Sequence, residues 1–115
     1  MQIRKVYQNL NPELLYDGIK DFGVKYGLIV HDSKITTSAV PGDSSSFIYR
    51  GSVSFVLEDK PSKPIECLIV NLLGSDKGET KVIMDFNEEL LTREKLDAFQ
   101  SDLEFMFGSY ETHEG

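Results

Sequence analysis

The chain has 115 residues, 40% of them hydrophobic, and a formal net charge of −7, which is the size of one ordinary domain able to close a core without disulfide or metal staples. Its single cysteine, Cys67, excludes an intramolecular disulfide, and no run approaches the roughly 18 to 20 apolar residues of a membrane-spanning helix. The charge imbalance sits late, with ten basic and ten acidic side chains in residues 1–81 but two and nine in residues 82–115, a distribution that disfavours nucleic-acid binding by phosphate neutralisation.

The opening QIRKVYQ has the mixed character of an edge strand. The start MQIRKVYQNLNPELL lacks the basic-then-apolar order of a secretory signal, so a cytoplasmic location is expected. In NPEL, Asn11 is the expected N-cap, Pro12 the first helical residue and Glu13 a partner for the positive end of the helix dipole. This helix should stop at Gly27, a natural left-handed residue, with Leu28 making the apolar contact beyond it. At about 100° per residue, Leu15, Ile19, Phe22 and Tyr26 form one apolar stripe. Gly18 and Gly23, each costing about 1 kcal/mol relative to alanine, lie on its two shoulders, where a bare backbone permits close approach to a sheet or leaves space beside the helix.

From residue 28 the apolar period falls from 3.6 to 2. FIYRGSVSFVL is the clearest strand, with Phe47, Tyr49, Val53, Phe55 and Leu57 on one face and Arg50, Ser52 and Ser54 on the other. LIVHDSKITTSAV precedes it across PGDSSS, and IECLIVNLLG and TKVIMDF follow across DKPSKP and GSDKGE; these short, turn-rich connections imply antiparallel hairpins. IECLIVNLL is apolar on both faces, with Leu68, Val70 and Leu72 on one and Ile65, Cys67, Ile69 and Leu73 on the other. If Ile48, Val56 and Ile83 lie alongside, the face away from the helices carries an apolar patch, which homodimerisation through the sheet would cover. Ile69 and Val70 are the candidate contact residues, whichever points outward.

A second helix is predicted from Glu88 or Thr92 to about Tyr110, with Leu96, Phe99, Leu103, Met106, Phe107 and Tyr110 on its apolar face. Phe105 falls on the opposite side, framed by Asp102 and Glu104, and the three make a candidate acidic and aromatic interface. Residues 1–110 are expected to form a single domain and 111–115 a flexible polar tail.

These elements give the order β-α-β-β-β-β-α, a two-layer α+β sandwich in which an antiparallel curved sheet carries two helices on one face. The element order resembles that of the helix-grip folds and of a single TATA-binding-protein-like repeat. That resemblance implies a sheet curled around the terminal helix and, as in grip-like folds, an apolar pocket between helix and sheet. Tyr16, Tyr26, Tyr49 and Tyr110 are the candidate lining hydroxyls, with Arg50 or His31 at the mouth.

Chemical motifs are sparse. His31 and Asp32 are neighbours in a strand and point to opposite faces unless a bulge intervenes, and His113 falls in the tail. One cysteine and two separated histidines give no zinc spacing. Glu58 with Asp59 reads as a solvated turn, Glu88 with Glu89 as a helix start, and neither PGDSSSF nor GSDKGE has the lysine or following helix of a phosphate loop. No catalytic, cofactor-binding or metal-binding residue is therefore assigned. The expected function is that of a small acidic interaction or accessory module, with a protein partner or a second copy of itself. The alternative is a small-molecule-binding protein with a cavity between helix and sheet.

Overall fold

The computed structural model describes residues 1–57, 65–75 and 78–112, without the side chains of residues 43–45. Strand β1 (Gln2–Gln8) leads into helix α1 (Pro12–Lys25), followed by β2 (Ile29–Val40), β3 (Asp43–Val56), β4 (Glu66–Ser75), β5 (Glu79–Phe86), helix α2 (Arg93–Phe107) and a 3-10 turn over Gly108–Tyr110. The strands form one sheet in the order β1-β5-β4-β3-β2, antiparallel at every step. Both helices lie on one face of it, the α+β arrangement that the hairpins and amphipathic segments require. Glu58, Asp59 and the rest of DKPSKP, Asp76 and Lys77 of GSDKGE, and His113 lie outside the described residues.

The ends of α1 follow from local chemistry. Asn11 has extended backbone angles and its Oδ1 accepts the Glu13 amide at 2.8 Å. At the other end Gly27 takes φ +82°. That conformation lets the Leu28 amide donate to the Gly23 carbonyl at 2.9 Å and the Gly27 amide to Val24 at 3.0 Å, the paired bonds of a Schellman stop. Leu28 itself is buried.

The shoulder glycines have separate roles in packing. A methyl group at Gly18 would stand 2.7 Å from Phe107 Cζ on α2, and one at Gly23 would run into the Phe55 ring on β3. The first glycine thus admits the neighbouring helix and the second seats α1 on the sheet. Between them Phe22 meets Phe99 edge-on with centroids 6.0 Å apart, and Phe99 meets Phe86 of β5 at 5.6 Å. These rings join both helices to the sheet in one core.

Helix α2 starts at the later of its two predicted positions. Asn87 accepts the Glu89 amide through Oδ1 and the Leu91 amide through its carbonyl, each at 3.0 Å. This closes a separate turn before Thr92, whose Oγ1 accepts from Lys95 at 3.2 Å. Two residues expected on the apolar face are not covered: Met106 is 54% and Tyr110 41% exposed. Met106 lies roughly 65° off the centre of the stripe, and the 3-10 turn changes the period before Tyr110 is reached.

The domain also extends beyond residue 110. Tyr7 and Glu111 form a bridge on the outer edge of β1, the Thr112 amide donates to the Val6 carbonyl at 2.8 Å, and Lys5 pairs with Glu111 at 2.8 Å. The first two residues of the expected tail are thereby tied to β1. At the opposite side of the sheet, β3 last meets β4 at Ile48 and Ser75, yet its pairing with β2 continues through Phe47 with Ala39 to Asp43 with Val40. The β2–β3 hairpin is thus an arm projecting past β4, and Gly42 turns its tip with φ +84°.

Candidate functional site

Strand alternation places every second residue on the face away from the helices, and the register then fixes which side chains meet there. One cross-strand row reads Lys34, Ser52, Asn71, Ile83 and Arg4 from β2 to β1, and the next reads Thr36, Arg50, Leu73, Lys81 and Val6. Four basic side chains from four different strands therefore share two adjacent rows with Leu73 and Ile83. These rows border a shallow depression of about 590 Å³ in the sheet surface. Lys81 also reaches Glu79 at 3.6 Å, a loose contact with the Lys81 side chain largely in solvent and that of Glu79 partly so.

The expected apolar patch is present here only in pieces. Ile69 and Leu73 are 37% and 45% exposed, Ile48 and Ile83 are half-buried, and Val56 is buried. Serines, Asn71 and the basic residues separate them, and long Lys and Arg stems can lie over apolar neighbours while their heads stay in water. Of the two candidate contact residues, Ile69 faces out. Val70 points into the core with 1% exposure, because strand neighbours take opposite faces and its partners Val53 and Met84 are inner-face residues.

The acidic and aromatic trio on α2 divides in the same way. Phe105 is 91% exposed and Glu104 lies in solvent beside it. Asp102 turns instead toward α1, where its Oδ2 accepts from the Tyr26 hydroxyl at 2.5 Å and from Lys25 Nζ at 3.1 Å. The Tyr26 hydrogen bond, reinforced by Lys25, holds the Asp102 carboxyl below the usual range, and the same carboxylate raises the pKa values of Lys25 and Tyr26. Asp102 is a clamp between the helices, while Phe105 and Glu104 remain surface groups.

The six residues expected around one pocket are dispersed. The Tyr16 hydroxyl meets Ser33 Oγ at 2.5 Å and donates to the Ser52 carbonyl at 3.0 Å. Tyr26 serves the helix clamp, Tyr110 is surface-exposed, and Arg50 points from the opposite side of the sheet. His31 stands exposed where the β2 register jumps between Val30 and Asp32, so a bulge is present. The Asp32 carboxylate, however, is engaged by the Ser33 amide at 3.0 Å. Tyr49 lines a cleft at the end of the sheet from which the hairpin arm projects, whereas Arg50 lines the outer depression. Deeper between helix and sheet, the space beside Tyr26, Phe86 and Phe99 is about 10 Å³, because the aromatic rings fill it.

Cys67 is fully buried, its thiol donating to the Phe55 carbonyl at 3.4 Å, and burial pushes its pKa up, away from thiolate chemistry. Among the described residues no group of three His, Cys, Asp or Glu side chains is placed to hold a metal ion, and no helix is long and apolar enough to cross a membrane. The basic rows escaped sequence reasoning because each contributing strand supplies only one cation. Outward parity was readable within each strand, but the register that aligns Arg4, Lys34, Arg50 and Lys81 was not. Comparisons with protein-family models, curated proteins and solved structures each found no match.

Proposed function

We propose that this chain is a small interaction module that docks an acidic protein segment bearing apolar side chains on the outer face of its sheet. The observation that carries this reading is the alignment of Arg4, Lys34, Arg50 and Lys81 in two adjacent rows around Leu73 and Ile83. Charge complementarity selects an acidic partner from a protein that is itself acidic overall, and the exposed Leu73 with the half-buried Ile83 supplies the desolvated contact that a bare polyanion cannot use. A two-fold contact centred on these two rows would set the same cations of two copies against one another, whereas the neighbouring row of the same face carries Asp32 and Asp85. A foreign acidic segment fits the charge pattern better.

A suitable test uses two synthetic amphipathic peptides, one of Glu, Asp, Leu and Phe and one with the acids replaced by Lys, together with a single-stranded DNA oligonucleotide. The acidic peptide should bind in a salt-sensitive way and shift amide resonances across β3, β4 and β5. Leu73→Asp should weaken it by about tenfold or more, and Arg50→Gln by less. Equal binding of the DNA would make the face a general polyanion site. A sedimentation mass near twice 13.0 kDa that Ile69→Asp returns to monomer would assign the face to a second copy. Either result overturns the proposal.

A further inference from the structure

The two edges of the sheet are finished differently. The outer edge of β1 is met by Glu111 and Thr112, whereas among the described residues no strand or bridge lies beyond β2. β2 runs for 12 residues, about twice the usual strand length, and His31–Ala39 are all exposed. Such an edge presents a row of backbone N–H and C=O groups whose natural complement is another strand, and proteins commonly blunt it with charge, proline or a bulge. Here those devices sit at one end only. The register jumps at His31, and Asp32 and Lys34 follow it, while Ile35–Ala39 carries no charge and no proline. Ile35, the one large apolar side chain of that stretch, is 44% exposed.

A second copy of the chain fits this edge in one register. Across a two-fold axis normal to the sheet, an antiparallel strand pairs with itself around one residue, and that residue sets every cross-strand neighbour. A centre at Asp32 or Lys34 puts like charges face to face. A centre at Ser33 matches Asp32 with Lys34 but runs into the bulge at His31, and it brings together the two copies of Lys20, whose Nζ lies 3.5 Å from Ser33 Oγ. A centre at Thr36 sets Ile35 against a hydroxyl and carries the pairing to the second irregularity at Ala39. A centre at Ile35 keeps all of Asp32–Ser38 on the regular stretch, with Ile35 against its own copy, Lys34 against Thr36, Ser33 against Thr37 and Asp32 against Ser38. The two Lys34 side chains then stand only diagonally to one another, in solvent. We propose that β2 pairs edge to edge with β2 of a second copy, antiparallel about an axis at Ile35. The two five-stranded sheets then run on as one, and, resting on the docking reading above, the outer faces of both copies look the same way and can hold a partner with two acidic segments.

Sedimentation equilibrium from micromolar to millimolar protein should show the mass rising toward twice 13.0 kDa. In a mixture of isotope-labelled and unlabelled copies, filtered nuclear Overhauser contacts should join Ile35 of one copy to Ile35 of the other, and Ser33 to Thr37. Ile35→Lys, at an exposed position, should leave the thermal unfolding of dilute protein nearly unchanged and raise the dissociation constant about tenfold or more, since it sets like charges opposite one another. Ile35→Val should keep the dimer. The proposal fails if the wild type stays monomeric at millimolar concentration, if Ile35→Lys dimerises as well as the wild type, or if the intermolecular contacts arise from other residues. A dimer that Ile69→Asp dissociates instead would sink the docking reading as well, whereas a monomer that still binds the acidic peptide would sink this proposal alone.

Discussion

The two faces of the sheet are built from the same strands and solve opposite problems. On the inner face Phe55, Leu68 and Met84 are fully buried against the helices, and Gly51 is bare where the Tyr16 ring presses, 2.8 Å from where a methyl would stand. On the outer face the same strands present Arg50, Ser52, Asn71 and Leu73 to solvent. One side is closed by shape. The other is held open by charge, since its apolar residues are kept apart by side chains that prefer water. A strand that is hydrophobic throughout its sequence can thus serve a dry layer and a docking layer together, provided its neighbours alternate.

The strongest way to break that comparison uses two adjacent residues of β4. Val70→Asp would put an unpaired carboxylate in the core and should cost about 4 kcal/mol or more, most of the stability of a domain at the low end of the usual range of about 5–15 kcal/mol. Ile69→Asp should remain folded and lose no more than about 1 kcal/mol by denaturant titration. Similar losses from the two would mean that the outer face is also buried, or that the strand register has slipped by one residue.

A smaller effect separates the two shoulders of α1. Alanine at either glycine gains about 1 kcal/mol of helix propensity, but overpacking a core ring typically costs about 1–3 kcal/mol. Phe55 is fully buried mid-strand and has little room to move, so Gly23→Ala should be net destabilising by about 1–2 kcal/mol. Phe107 is the last residue of α2, and a ring at a helix end yields more readily, so Gly18→Ala should fall closer to neutral. Thermal unfolding of the two variants side by side checks the order. If Gly18→Ala proved the more damaging, the helix-to-helix contact would be the tighter one.

Much of the frame was legible in the chain because its signals are local. Asn11 with Pro12 and Gly27 with Leu28 mark the ends of a helix within a few residues, and the alternation of Phe47, Tyr49, Val53 and Phe55 marks a buried strand face without reference to anything distant. Phe105 could be placed outward by angle alone. What was illegible depends on register or on partners far away in sequence. Val70 and Ile69 have the same chemistry, so only their neighbours on β3 and β5 decide which is core. The tyrosines were grouped by type, yet the Tyr16 hydroxyl meets Ser33 and Ser52, that of Tyr26 meets Asp102 and that of Tyr49 is buried without a partner, because a pocket is assembled through space. Asp102 read as a surface acid because Lys25 and Tyr26, which claim it, lie more than 75 residues earlier in the chain.

That clamp supports the smallest and most specific expectation. The Asp102 carboxyl is held below its ordinary value of 3.8 by the Tyr26 hydroxyl and Lys25, so its contribution to stability is present above that value and is lost as pH falls through the lower folded one. Lys25 and Tyr26 are raised above 10.5 and 10.0 by the same carboxylate, so their contribution is complete below those values and disappears as pH rises beyond them. Between the two limits the clamp should be insensitive to pH. Asp102→Asn should remove both limbs from a plot of thermal midpoint against pH and lower the neutral plateau by the height of those limbs, a small change because the groups lie close to solvent. The outer sheet face, on the far side of the molecule, should bind its acidic peptide unchanged in this variant; a loss of binding there would show that the helix layer and the docking layer are coupled rather than independent.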